Sequence, residues 1–121
     1  MALAFTVLFV DDDPQVRESV VDVLSLKGFR VLSAASAFEG LRILTQEHVD
    51  VLFCDIVMPG MSGIDLAKKA RQLRPDLKIM FATGYAARAE EAVHLGKLFF
   101  KPMRGHQVEA ELCELMSVLG E

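Results

Sequence analysis

At 121 residues and 52% hydrophobic content, the chain fits one compact domain with a substantial core and little else. A net charge of −4 with no basic run argues against a nucleic-acid surface. No apolar stretch approaches the roughly 20 residues needed to span a bilayer, and Met1–Phe5 lacks the charged start of a signal peptide.

The first predicted element is a strand over Thr6–Val10, an apolar β-rich run that ends abruptly on Asp11-Asp12-Asp13. Pro14 suits the first position of a helix, with Asp13 as its N-cap. Val16, Val20, Val23 and Leu24 carry that helix to Lys27, and Gly28 ends it. Arg30–Ala34 is the second strand. Ser36 with Glu39 forms a capping-box pattern, and Phe38, Leu41 and Leu44 supply the apolar stripe of the next helix. His48 and Asp50 fall in the following loop, where a lone histidine reads as solvated.

Val51–Asp55 is the segment around which the rest is arranged. Val51, Leu52, Phe53 and Cys54 form a continuous apolar run, as a central parallel strand requires. Asp55 closes it with a charge, which is costly unless the strand emerges into a polar crevice. The Met58–Gly63 loop follows, and Ser62 can cap a helix bearing Ile64, Leu66, Ala67, Ala70 and Leu73. Lys68, Lys69, Arg71 and Arg74 read as its solvated face. Leu77–Ala82 is the next strand and ends on Thr83-Gly84. Ala86–Leu95 reads as a weak, short or mobile helix with a mostly alanine face. Leu98–Phe100 is a very short strand before Lys101-Pro102. A last helix over Gln107–Leu119 shows Val108, Leu112, Leu115 and Leu119 on one side. Cys54 and Cys113 sit in apolar surroundings without metal or redox spacing, so both read as buried thiols in a reducing cytosol.

Alternating strands and helices imply βαβ units and a parallel α/β sheet. Such sheets bind ligands beyond the carboxyl ends of their strands. Asp11, Asp12, Asp55, Thr83 and Lys101 all fall at such ends. Carboxylates gathered there repel one another, by about 4 kcal/mol for two charges ~4 Å apart at an effective dielectric of ~20. A divalent cation relieves this, and an all-oxygen ligand set favours Mg²⁺. Lys101 and Thr83 suit phosphoryl oxygens. The chemistry that fits is phosphoryl transfer to a carboxylate nucleophile, giving an acyl phosphate on Asp55.

In order along the chain, LFVDDDP, FCDIVMPGMSG, FATGY and FFKP resemble the response-regulator receiver domains of two-component signalling. The resemblance covers essentially all of the sequence, as a single receiver domain over residues 1–121. It implies a doubly wound, flavodoxin-like sheet of five parallel strands in order 2-1-3-4-5 with five helices. It implies Asp55 as phosphoacceptor, Asp12 as direct Mg²⁺ ligand, Asp11 as a ligand through water, and the Val57 carbonyl completing the site. Thr83 would bind the phosphoryl group and reorient, Lys101 would pair with the phosphate, and Pro102 would follow in cis. The implied donor is a phosphohistidine on a sensor histidine kinase or histidine phosphotransfer protein. The implied output is a switched contact with a downstream protein in the cytoplasm, with no enzymatic role beyond assisting its own phosphorylation and dephosphorylation. A phosphorylation-driven dimer through the fourth helix, fifth strand and fifth helix is one mode the family uses.

Two departures stand out. Leu98 occupies the position where most members carry an aromatic switch residue. The span from Thr83 to Lys101 is short, which points to a truncated fourth helix, as in receivers of the FATGY type and terminal receivers of hybrid kinases. Tyr85 is a candidate for part of the switching role. Met1 and a nearly complete last helix favour a whole domain with no output module in this chain, over one excised from a hybrid kinase. The alternative function is a metal-dependent phosphatase on a similar sheet. Such enzymes need a second acid two residues after the nucleophile, where this chain has Val57. Val57 and Tyr85 also predict slow loss of phosphate.

Overall fold

Each of the predicted apolar runs becomes a strand of one sheet. The computed structural model describes residues 5–84, 88–101 and 105–119. In chain order these form β1 (Thr6–Val10), α1 (Pro14–Leu26), β2 (Arg30–Ala34), α2 (Ala37–Gln46), β3 (Val51–Asp55), α3 (Gly63–Leu73), β4 (Lys78–Thr83), α4 (Ala89–Leu95), β5 (Lys97–Phe100) and α5 (Gly105–Leu119). The five strands are all parallel and lie in the order β2-β1-β3-β4-β5. The winding therefore reverses between β1 and β3, and a crevice opens beyond their carboxyl ends.

β1 and β3 are buried along their full length, so their side chains alternate between two cores. Leu8, Val10, Leu52, Cys54, Ile79 and Phe81 point to the side covered by α2, α3 and α4. Val7, Phe9, Val51, Phe53, Met80 and Ala82 point to the side where Leu24 of α1 and Val108 and Leu112 of α5 close over them. Phe9 and Phe53 meet edge-to-face at 5.1 Å, and Phe53 meets Phe99 at 6.0 Å. Each such aromatic pair adds about 0.5–1.5 kcal/mol beyond the area it buries. This is the rigid base on which the strand ends are held.

The helix caps form as the sequence implies. The Asp13 carboxylate accepts from the amides of Gln15 and Val16, Ser36 Oγ from Glu39, and Ser62 Oγ from Asp65. Gly28 takes a φ of 96° after α1, a conformation that side chains disfavour. Among the described residues no helix is long and apolar enough to cross a membrane.

Four expectations are corrected. Phe38 is 61% exposed rather than part of the buried stripe, which consists of Ala37, Gly40 and Leu44. Cys113 is exposed, because it sits one residue, about 100° of helix, beyond the buried Leu112. The fourth helix does not include Arg88, whose left-handed φ of 63° cannot belong to a right-handed helix. The predicted Ala86 and Ala87 lie outside the described residues.

Arg71 and Arg74 are the fourth correction, since they are not merely solvated. Arg71 Nη2 donates to the Leu95 carbonyl at 3.2 Å. Arg74 Nη2 donates to the carbonyls of Leu44 (2.9 Å) and Glu47 (2.6 Å), satisfying acceptors that the end of α2 leaves open. Arg74→Ala is expected to destabilise the fold by about 1–3 kcal/mol, because two part-buried carbonyls lose a charged donor. The exposed Lys69→Ala should be near neutral by comparison. Urea midpoints of the two variants check this.

Candidate functional site

The sheet delivers its polar residues to one point. Asp11 directly follows β1, and its amide donates to the Ala34 carbonyl of β2. Asp55 ends β3 and Thr83 ends β4. Lys101 follows β5, its amide donating to the Thr83 carbonyl at 2.9 Å. The parallel ladder thus runs right up to these candidate residues and fixes their backbones.

Asp11 is wholly buried, and each of its polar atoms is engaged. Its Oδ1 accepts from the Asp13 amide at 2.9 Å, its Oδ2 from Lys101 Nζ at 2.8 Å, and its carbonyl from Arg17 Nη1 at 2.8 Å. Asp55, 7% exposed, accepts from the Val57 amide through Oδ1 at 3.3 Å and from Lys101 Nζ through Oδ2 at 3.1 Å. Asp12 is exposed at the mouth. One carboxylate oxygen from each of Asp11, Asp12 and Asp55 falls within 4.8 Å of the others. Asp13 is not part of this group; its side chain faces the helix it caps.

The electrostatics follow from this crowding. Burial pushes the Asp55 carboxyl above the usual carboxylate range. The Lys101 ammonium pulls the other way without cancelling it, and the charge of Asp11 adds to the rise. Burial opposes the charge on Lys101 too, but its hydrogen bonds and attraction to Asp11 and Asp55 win and raise its pKa. Cys54, beneath Asp55, has its thiol driven far up, first by burial and then by that carboxylate. It is an inert core group, as its position in β3 implies.

One ammonium set against three converging carboxylates leaves the cluster short of positive charge. The donors are all oxygen, with no imidazole or thiolate among them, which suits a small hard dication such as Mg²⁺. Val57 contributes its amide to Asp55 and is 48% exposed as a residue. Thr83 is fully buried. Leu98 is half-buried, Phe99 packs inward, and Phe100 is 56% exposed. Tyr85 and Pro102 lie outside the described residues.

Three contacts had no sequence signal. Arg17 acts on a main-chain carbonyl. Gly63 packs its Cα against the Asp55 carbonyl. Arg88 donates to Ser62 Oγ at 3.1 Å and to Glu91 Oε1 at 2.9 Å, tying the approach to α4 onto the start of α3.

Comparison with known proteins sets the chain in a family context. The response regulator receiver domain family matches residues 7–112. The response regulator receiver protein CpdR of Brucella abortus is 37% identical over 117 residues, covering 91% of this chain and 95% of CpdR. The sensor kinase CckA of the same organism is 41% identical over 83 residues, covering 67% of this chain but only 9% of that kinase. The response regulator TrrA of Thermotoga maritima, solved in complex with Mg²⁺ and BeF, superposes with a TM-score of 0.84 at 26% identity, covering 91% of this chain and 97% of that one.

Proposed function

The chain belongs to the response regulator receiver domain family, and from that premise we propose that Asp55 is its phosphoacceptor, served by Asp11, Asp12, Val57, Thr83 and Lys101. The observation that carries this is the bridge of Lys101 Nζ to both Asp11 Oδ2 and Asp55 Oδ2. Lysine there holds the acceptor carboxylate in place and offers a cation to an incoming phosphoryl oxygen.

An Asp55 carboxylate oxygen attacks phosphorus on a phosphohistidine donor. The O–P bond forms as the P–N bond breaks, and the electron pair returns to the imidazole nitrogen. Asp11, Asp12, Asp55 and the Val57 carbonyl would hold Mg²⁺, which when bound would neutralise phosphoryl charge. Asp55 is shielded from water by its burial, so its nucleophilic oxygen is aimed by the Val57 amide and Lys101 rather than by solvent. Lys101 and the Thr83 hydroxyl take the phosphoryl oxygens, and movement of Thr83 reports the new state to β4 and the segment beyond it.

The donor in this reading is a sensor histidine kinase or a histidine phosphotransfer protein, in the cytoplasm. The output is a protein contact. Val93 on α4 and Phe100 on the edge strand β5, each 56% exposed, offer apolar surface to a downstream target or a second copy. The chain acts as one receiver unit without turnover of other substrates. A phosphatase would need an acid where Val57 stands.

Acetyl phosphate or beryllofluoride with Mg²⁺ is expected to shift the amide NMR signals of Asp55, Thr83 and Lys101. An unchanged spectrum would overturn the assignment, and turnover of a generic phosphoester would favour the phosphatase instead. Bound phosphate should be lost slowly, since Val57 has no polar group to orient attacking water. Loss within seconds would contradict that part.

A further inference from the structure

We propose that Arg17 is the positioning residue that aims Asp12 at the metal. This rests on the reading of Asp11, Asp12 and Asp55 as Mg²⁺ ligands. Arg17 lies one turn into α1, and its amide donates to the Asp13 carbonyl at 3.0 Å. Helical side chains lean back toward the N-terminus, so its guanidinium reaches past Asp13 to the Asp11 carbonyl at 2.8 Å.

That carbonyl belongs to the peptide joining Asp11 to Asp12. Holding it fixes the plane from which the Asp12 side chain departs. Asp11 has other anchors, through its own amide and both carboxylate oxygens. Asp12 is exposed, and its carboxylate makes no hydrogen bond or ion pair to a described residue. Its aim depends on the main chain alone.

Nothing about helix stability calls for Arg17 here. A cation near a helix N-terminus is opposed by the helix dipole. A cation beside a Mg²⁺ site also repels the metal. Two opposite predictions follow. If Arg17 acts only through its charge, removing it tightens Mg²⁺ binding. If it acts by orienting the Asp11–Asp12 peptide, removing it weakens binding although a repulsive charge has gone.

The test is an NMR titration of the whole chain with MgCl₂, for the parent, Arg17→Gln and Arg17→Lys, with melting curves in EDTA. Arg17→Gln is expected to raise the Mg²⁺ Kd about tenfold, the usual scale for an outer partner of a metal ligand. The Asp12 and Asp13 amides should shift even without metal. Phosphorylation by acetyl phosphate should recover at saturating Mg²⁺, since the loss is in metal affinity and not in the chemistry. Arg17→Lys keeps the charge but reaches less far and donates without the planar fork, so it should also weaken binding. Binding by Arg17→Gln that equals or exceeds the parent overturns the proposal. Should Arg17→Gln fail to fold in EDTA, the lysine variant decides: parent-like Kd overturns, weaker Kd supports. Failure of the parent itself to bind Mg²⁺ would instead overturn the ligand assignment on which this rests.

Discussion

Asp55→Asn is expected to abolish phosphoryl uptake and, in the same protein, to raise the melting temperature. The first effect follows from removing the proposed nucleophilic carboxylate. The second follows from the direction in which the fold shifts it. Burial, with Asp11 adding to it, holds the Asp55 carboxyl above its ordinary range despite Lys101. A carboxyl raised on folding favours the folded state only while protonated. That contribution is complete below the ordinary carboxylate range and is lost as pH climbs through the raised value. Near neutral pH, ionised Asp55 therefore works against the fold. Asparagine removes the charge and keeps an Oδ1 to accept the Val57 amide. The gain should be on the order of 1 kcal/mol, or about 4 °C for a domain of this size. It should appear in EDTA near neutral pH and shrink as pH falls below the carboxylate range. It should also shrink when Mg²⁺ binds the parent and removes the repulsion. Melting curves under these three conditions check the sign. A variant that melts no higher than the parent in EDTA would mean that Lys101 outweighs burial at this site.

What the sequence disclosed and withheld follows from the kind of interaction involved. β1 and β3 were legible because a strand buried on both faces is apolar throughout, so Asp11 and Asp55 stand out as abrupt charges at its end. The caps Asp13, Ser36 and Ser62 were legible because capping is local. α2 was legible at Leu41 and Leu44, which pack on the core, and misled at Phe38. Its true inner face is Ala37, Gly40 and Leu44, small where the helix closes on the sheet: a Cβ at Gly40 would sit 3.1 Å from Val10. Phe38 is larger and more apolar, yet it lies outside, over Gly60. Arg71 and Arg74 looked like a solvated charge run because their partners are carbonyls of α4 and of the end of α2, which no side-chain pattern announces. Arg17 escaped for the same reason. The start of α4 was hidden by its alanines, which favour helix wherever they stand, while Arg88, at a φ of 63°, makes a tertiary contact to Ser62 and a local one to Glu91 three residues on.

Gly63→Ala is expected to be the most damaging single-methyl change in the chain's site region. Read along the sequence, Gly63 is only the end of a loop. In space it opens α3 directly against β3: its amide donates to the Ile56 carbonyl at 2.8 Å, and its carbonyl accepts from Cys54 Sγ at 3.6 Å. A Cβ built there would lie 1.9 Å from the Asp55 carbonyl oxygen and 2.8 Å from its carbon. These are main-chain atoms of a fully buried strand, so no flexible side chain can swing aside. Either α3 moves away from the sheet or Asp55 does. The first strips Ile64, Leu66 and Ala67 from the core; the second displaces the proposed acceptor carboxylate. The cost should exceed about 4 kcal/mol, the range reserved for overpacked or strained positions. Gly60→Ala makes the contrast. Its φ of 80° imposes strain, but the nearest obstacle is the tip of the exposed Phe38 ring at 3.2 Å. That ring can yield, so about 1 kcal/mol is expected. Urea unfolding of both variants, with beryllofluoride binding measured on whatever fraction of Gly63→Ala remains folded, separates the two consequences. A Gly63→Ala protein that unfolds near the parent midpoint and still binds beryllofluoride would mean that α3 can withdraw from β3 without moving Asp55, and the rigid link between helix and acceptor would be wrong.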